Sequence, residues 1–407
     1  MSQPLKPVTE ALAEMLAAVE ITKDKEVIEL NDAHGRILSR PVNSTLDVPG
    51  YDNSAMDGYA VRCKEAQSGT RLTIAGVASA GHPFNDKVEA GQCVRIMTGA
   101  PVPEGFDAVV IQENTEAADD NSVVINKAPS EGENIRLRGS DMSVGEEVIA
   151  EGTKLSSIDI GLLASLGVAE VSGFKKPKVA VFSTGDELVA PGGKLAEGQI
   201  YDSNRYLLKA MLSNLPVDVV DLGCLKDDLD ALQKALSEAA SNCDAIITSG
   251  GVSVGDADFT KDALEQLGEV NFWKVAMKPG KPFAFGKLGN AWFFGLPGNP
   301  VAATVTMDQL AQPVLRHLSG EKHFKPLALN AVASAPLKKR PGRADYQRGF
   351  YEQNAQGELT VSSAGSQSSA VLSTVKKANC LILLEQEQGA VEQGDTVKVL
   401  PFSRLFD

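Results

Sequence analysis

The sequence has few of the residues that mark several large functional classes. It carries five cysteines in 407 residues, an odd number with no C-x-x-C pair. That argues against a disulfide framework and a thiolate zinc site, and it fits a reducing compartment, so the expected location is cytoplasmic. Four histidines, His34, His82, His317 and His323, show no metal-ligand spacing, and none is assigned a catalytic role. No stretch of 18 apolar residues occurs, so no membrane span is expected. The opening residues, with Lys6, Glu10, Glu14 and Glu20 among apolar ones, read as an amphipathic segment and not as a signal peptide. His-Glu-x-x-His and Walker patterns are missing. Basic residues are outnumbered, 39 against 53 acidic, for a net charge of −14. Such a chain is repelled by a phosphate backbone, which excludes nucleic acid as the expected partner. Any anionic substrate must then be met by a local basic cluster.

What is present is an ordinary globular composition, 43% hydrophobic and 23% charged, in a chain too long for one core. Val8, Leu12, Met15, Leu16 and Val19 fall at helical spacing. Between 45 and 140, short apolar runs (Leu72–Ile74, Cys93–Ile96, Ala108–Ile111, Ser122–Ile125) alternate with turn residues, as in a β-rich insertion. The stretch from Leu155 to Gly167 looks helical and is expected to pack with the N-terminal helix. From Lys178 to Leu318, strands alternate with helices, which predicts a doubly wound, mostly parallel sheet. A helix is expected over Val301–Leu318. Residues 326–407 return to β signals and suggest a small barrel or sandwich. The fold class is multidomain α/β plus β. The expected domains are 1–45 with 141–176 (a discontinuous helical, dimerising domain), 46–140 (the β-rich insertion), 177–325 (the α/β domain) and 326–407 (a C-terminal β-barrel).

In a doubly wound sheet, ligands bind beyond the carboxyl ends of the strands. Here each strand ends in a loop of small and polar residues: 183–187, 226–228, 249–258, 278–281 and 296–300. Ser249-Gly250-Gly251 exposes backbone N–H groups that an anion can approach closely. Asn299-Pro300 reads as a helix N-cap followed by proline, another place for an anion. Asp186, Glu187, Asp227, Asp228, Asp256 and Asp258 supply hard oxygen donors without nearby histidine, which suits Mg²⁺ shared with substrate phosphates. Glu187 and Asp227 are the favoured ligands, whereas Asp228 is placed to cap the next helix. Lys274, Lys278 and Lys281 supply local positive charge.

Taken together, Asn53–Ala60, Arg95–Pro101, Ser183–Leu188, Ser249–Asp258, Lys278–Phe285 and Gly295–Pro300 resemble the signatures of the MoeA-type molybdopterin molybdenumtransferases, to which the E domain of gephyrin is similar. The resemblance runs in order along nearly the whole chain. It implies a molybdopterin-binding α/β domain and an Mg²⁺-dependent transferase of molybdenum cofactor biosynthesis. The implied substrates are adenylylated molybdopterin and molybdate, with AMP released. It also implies a homodimer with a shared active site, to which Asp57 and Thr98 come from the partner. By the same motifs, Glu187, Asp227 and Asp258 serve metal and phosphates, and Lys274, Lys278 and Lys281 hold anionic groups. Substrate contacts fall to Ser183, Thr184, Gly185, Ser249, Gly250, Gly251, Ser253, Pro297, Gly298, Asn299, Pro300, Arg348 and Ser369. Further expected partners are a molybdopterin adenylyltransferase and molybdoenzyme maturation proteins. Two departures touch the oxyanion pocket: Ala302 and Ser366 stand where the family usually carries Ser and often His. The alternatives are a non-catalytic molybdopterin-binding scaffold and an adenylyltransferase-like enzyme. The insertion with Asp57 and Thr98 argues against the latter.

Overall fold

A computed structural model describes residues 5–118, 120–226, 228–251 and 259–402. The chain forms two compact units. One comprises Met1–Arg40, Glu151–Ser157 and Glu170–Asp407, and the other Pro41–Ala150 and Ile158–Ala169.

The first unit is built on an α/β domain. Its elements are β1 (Lys178–Thr184), α1 (Asn204–Ser213), β2 (Asp218–Leu225), α2 (Leu229–Asn242), β3 (Ala245–Ser249), α3 (Phe259–Leu267), β4 (Gly268–Lys274), β5 (Pro282–Leu288), β6 (Ala291–Leu296) and α4 (Pro300–Thr306). The sheet order is β2-β1-β3-β6-β5-β4. The first four strands are parallel, and β5 is antiparallel to both of its neighbours. Side chains alternate across the pleat, so successive residues feed opposite cores. Val179, Val181, Ala245 and Ile247 meet Leu208, Met211 and Leu212 of α1 on one face. Ala180, Phe182 and Ile246 meet Leu232, Leu236 and Ala239 of α2 on the other. Two covered faces are why these strands read as unbroken apolar runs.

The N-terminal helix, Val8–Ala18, departs from expectation. Its buried Ala11 and Met15, with Val19, join the α/β core beside Leu310 and Val314. The other expected helix forms at Ser157–Ser165 and lies, but for its first residue, in the second unit. Periodicity identified both helices but says nothing of which apolar stripe each one meets.

The C-terminal segment resolves the choice between barrel and sandwich. Leu329–Ala333, Ala344–Gln353, Leu359–Ser363, Cys380–Leu384 and Thr396–Pro401 close on themselves through an additional pairing of the second and fourth. Met277–Lys278 adds to Ala344–Asp345 in parallel, tying the loop between β4 and β5 to the barrel. The second unit carries a six-stranded sheet in which Arg71–Ala78 and Gln92–Ile96 form the parallel pair. Gly58 is required there, because a Cβ would lie 2.0 Å from the Val110 carbonyl oxygen.

Candidate active site

The parallel strands bring Thr184, Leu225, Ser249 and Leu296 to one edge of the sheet, as their registers show. From β1 the chain steps outward to β2 and returns across β1 to β3. A crevice opens where the direction reverses, between the ends of β1 and β3. Because β5 runs antiparallel, Lys274 pairs with Pro282 and the loop 275–281 falls at this same edge. The loops of Ser183–Glu187, Ser249–Gly251, Lys278–Lys281 and Leu296–Pro300 therefore converge. Asp227, Ser253 and Asp258, with the rest of 252–258, lie outside the described residues.

Glycine sets the floor of the crevice. Gly250 has φ +96 and Gly251 φ +64, and a Cβ on Gly250 would sit 3.1 Å from the Thr184 carbonyl oxygen. The Gly250 N–H donates to the Leu296 carbonyl at 3.1 Å, joining two of the loops. Asn204, which sequence reasoning missed, joins three. It opens α1, and its Nδ2 donates to Ser249 Oγ and to the Gly298 carbonyl, both at 2.7 Å. The Ser249 hydroxyl is thus engaged in the scaffold. So is that of the fully buried Ser183, which donates to Asp202 Oδ1 at 3.1 Å. Asp202 also accepts from Arg205 Nε at 3.0 Å, and Arg205 Nη1 reaches both Asp221 oxygens at 2.7 Å. Burial alone would lift the Asp221 carboxyl. Lys209, the Gly223 N–H and Arg205 overcome that and hold it at about 2. Burial opposes the Arg205 charge too, yet the two carboxylates raise its pKa. The local run Asp202-Ser203-Asn204-Arg205 at a helix start was the available signal for this network.

The helix start after β6 differs from expectation. Asn299 occupies the N-cap position with Pro300 next, but its side chain makes no capping bond. Instead the Val301 N–H donates to the Ser369 carbonyl at 3.0 Å, so a backbone oxygen takes a donor expected to face an anion. Arg348 explains why the Ser366–Ser369 loop lies there. It is 1% exposed, and its Nη2 donates to the carbonyls of Ser366 and Ser368, both at 3.1 Å. Burial lowers its pKa. Arg348 therefore shapes the loop that carries Ser369. Of the two departures, Ala302 is buried and Ser366 is exposed. Lys278, half exposed, pairs with buried Asp345 at 3.0 Å. Lys274 is partly exposed and Lys281 exposed.

Glu187 folds over Gly185, where a Cβ would lie 2.5 Å from its Oε2. Glu187 and Asp186 are exposed at the end of β1. Among the described residues, no group of three histidine, cysteine or acidic side chains is arranged to hold a metal. Asp228 caps α2 as expected, accepting from the Ala231 N–H at 2.8 Å.

The second unit brings Asp57 and Thr98 together. Asp57 Oδ1 accepts from the Thr98 N–H at 2.7 Å and from its hydroxyl at 2.8 Å. Those two bonds, with the Arg95 charge, lower the Asp57 pKa. The result is an exposed, ionised carboxylate held in one orientation.

Comparison with known proteins places these features in one family. The family model for the MoeA N-terminal region (domain I and II) matches residues 6–167, a probable molybdopterin binding domain matches 180–317, and the MoeA C-terminal region (domain IV) matches 330–402. The chain is 49% identical to a molybdopterin molybdenumtransferase of Haemophilus influenzae, over 98% of both chains. It is 36% identical to one from a Nostoc species, over 95% of this chain and 91% of that one. A solved molybdopterin biosynthesis moeA protein from Pyrococcus horikoshii superposes with a TM-score of 0.86 at 25% identity, covering 98% of this chain and all of that one. Three consecutive family matches, full-length identity and the same fold agree that this chain belongs to the MoeA family of molybdopterin molybdenumtransferases.

Proposed function

We infer that this protein is a molybdopterin molybdenumtransferase, inserting molybdenum from molybdate into adenylylated molybdopterin with release of AMP in molybdenum cofactor biosynthesis. One observation supports the reading. The crevice between β1 and β3, floored by Gly250 and Gly251 and flanked by the Lys274–Lys281 loop, has the backbone and charge that suit an anion, in a chain matched over 98% of its length by a relative bearing that name.

Cleaving the phosphoanhydride requires charge on its oxygens to be neutralised where water is limited. Lys274, Lys278 and Lys281 supply positive charge, and Lys278 is oriented by Asp345. Thr184, Gly185, Gly251, Ser253 and the Pro297–Pro300 turn border the substrate. Ser183 and Ser249 act from beneath by fixing Asp202 and Asn204. Ser369 and Arg348 form the molybdate side, Arg348 through the loop it holds.

Exposed Glu187, with Asp227 and Asp258, offers hard oxygens that suit Mg²⁺ completed by substrate phosphates. The ion, when bound, supplies charge neutralisation at the bridging oxygen. Asp57 and Thr98 act in the site of a second copy, so the working form is a homodimer. The four-domain division, with the helix Val8–Ala18 packed on the α/β core, and a cytoplasmic location complete the proposal. Supporting the location, the five cysteines are free thiols and no described helix is long and apolar enough to cross a membrane.

The test is AMP release from adenylylated molybdopterin by wild type, Glu187→Ala and Asp227→Ala, with Mg²⁺ present or chelated. Release should fall by about a hundredfold in each variant and on chelation. Unchanged release in chelator would remove the metal from the account. Unchanged release in both variants would remove these carboxylates.

A further inference from the structure

The four cations Lys338, Lys339, Arg340 and Arg343 occur within six residues of a chain carrying −14 overall. They stand on the barrel, at the entrance to the strand Ala344–Gln353 that pairs with Met277–Lys278. A chain of polar contacts links this run to the lysine loop of the cleft. Lys278 Nζ bonds Asp345 at 3.0 Å, Gln347 Nε2 bonds the same Asp345 oxygen at 3.1 Å, and that nitrogen also donates to the Lys338 carbonyl at 2.8 Å.

Lys339 fixes the shape of the run from below. It is 8% exposed, and its Nζ donates to the carbonyls of Arg340, Gln386 and Gln388 at 3.0, 3.2 and 3.0 Å. Burial lowers its pKa, opposed by the charges of Asp345 and Glu387 and assisted by those of Lys278 and Arg343. Lys338 and Arg340 are left exposed and Arg343 partly so. Among the described residues none of these three is ion-paired with an acid. Ion pairing does not explain such a grouping, because like charges set close together repel one another.

We propose that Lys338, Arg340 and Arg343 form a basic rim that captures the anionic pterin substrate from solution and passes it to the Lys278 side of the cleft. The rim rests on the reaction proposed above and adds a second place of contact to it. In a strongly acidic protein, the long-range field opposes the approach of a phosphorylated ligand, and a local positive patch reverses it within a Debye length of about 10 Å. Such a patch acts on encounter, so its loss raises KM and leaves kcat unaltered.

The experiment compares wild type, the rim pair Lys338→Glu/Arg340→Glu, and a control pair, Lys64→Glu/Lys234→Glu, which makes the same change in net charge at exposed positions elsewhere. KM and kcat for adenylylated molybdopterin are measured across a potassium chloride series. At about 20 mM salt the rim pair should show a KM raised roughly tenfold with kcat within about twofold, and the difference should vanish near 500 mM as screening takes over. The control pair should follow wild type. Equal KM and salt dependence in rim pair and wild type overturns the proposal. A loss confined to kcat, or an equal effect in the control pair, also overturns it. If wild type itself turns nothing over, the proposed reaction is what fails. The rim is then judged by calorimetric AMP affinity over the same salt series: a weakening specific to the rim pair sustains it, and identical affinities overturn it.

Discussion

Asp227 and Asp228 are neighbours with different assignments, metal ligation for the first and helix capping for the second. Asp228 accepts from the Ala231 N–H, three residues on, which is the usual geometry of an N-cap carboxylate. Replacing it should therefore cost stability without touching chemistry. Asp228→Ala is expected to lose about 1 kcal/mol in urea denaturation while kcat for AMP release stays at the wild-type value. A collapse of kcat in folded Asp228→Ala would exchange the two roles. This cap was legible in the sequence because donor and acceptor are three residues apart. Asn204 was not, since its partners Ser249 and Gly298 are 45 and 94 residues away. Separation in sequence also hid the inward turn of the Ser183 and Ser249 hydroxyls, whose partners lie 19 and 45 residues away. Residue type suggested ligand contact, and only the fold supplied Asp202 and Asn204 as competitors for those oxygens. The pair Asp57 and Thr98 shows the converse. Its two motifs lie 41 residues apart, and the resemblance named both before the geometry joined them.

Among the elements, the parallel strands were readable and the edge was less so. Apolar runs such as Val179–Phe182 and Ala245–Thr248 mark strands buried on both faces, but carry no direction. For β5 and β6 the direction was written in the two-residue link Gly289-Asn290, a hairpin signal that makes those strands antiparallel. The helix expected over Val301–Leu318 is interrupted. It runs as α-helix over Pro300–Thr306, π-helix over Met307–Ala311 and α-helix again over Gln312–Leu318. Pro313 gives the reason: it has no N–H for the Gln309 carbonyl, and its ring crowds that oxygen. The widened turn holds Asp308, partly buried, with Gln309 Nε2 donating to it at 2.7 Å. The Gln312 amide, oriented by its neighbours, faces Asp308 with nitrogen at 3.1 Å and Arg316 with oxygen at 3.1 Å. Burial raises the Asp308 pKa to about 6, against the lowering effects of Gln309 and the Arg316 charge. The folded state therefore holds this proton more tightly than the unfolded chain does. The stability it contributes is present at low pH and is lost as pH rises from about 4 to about 6. Asp308→Asn should match wild type near pH 4 in chemical denaturation and exceed it above pH 6, by up to an amount on the order of 3 kcal/mol. A variant that tracks wild type at every pH would show that Asp308 titrates normally.

At the scale of the whole molecule, net charge and site chemistry pull in opposite directions. A chain at −14 works on phosphorylated and oxyanionic substrates, so its cations must be concentrated where those ligands arrive. The lysines of 274–281 were visible as such a concentration. The run at 338–343 became meaningful only once strand pairing set it beside Lys278. Which relative each segment resembles was legible almost throughout, because the signature motifs sit at strand ends and tight turns, where backbone geometry restricts residue choice. The C-terminal barrel was among the expectations, and what lay beyond the sequence was long-range pairing: which two strands close that barrel, and the docking of the N-terminal helix on the α/β core.

The central claim is that AMP release and molybdenum insertion are one coupled event. The measurement that tests it most directly counts both products from purified wild-type protein given adenylylated molybdopterin, Mg²⁺ and molybdate. The account predicts one AMP for each molybdenum atom found in the pterin product, and negligible AMP when molybdate is withheld. AMP release at an unchanged rate without molybdate, leaving no molybdenum in the pterin, would contradict it and leave a phosphoanhydride hydrolase on the same fold.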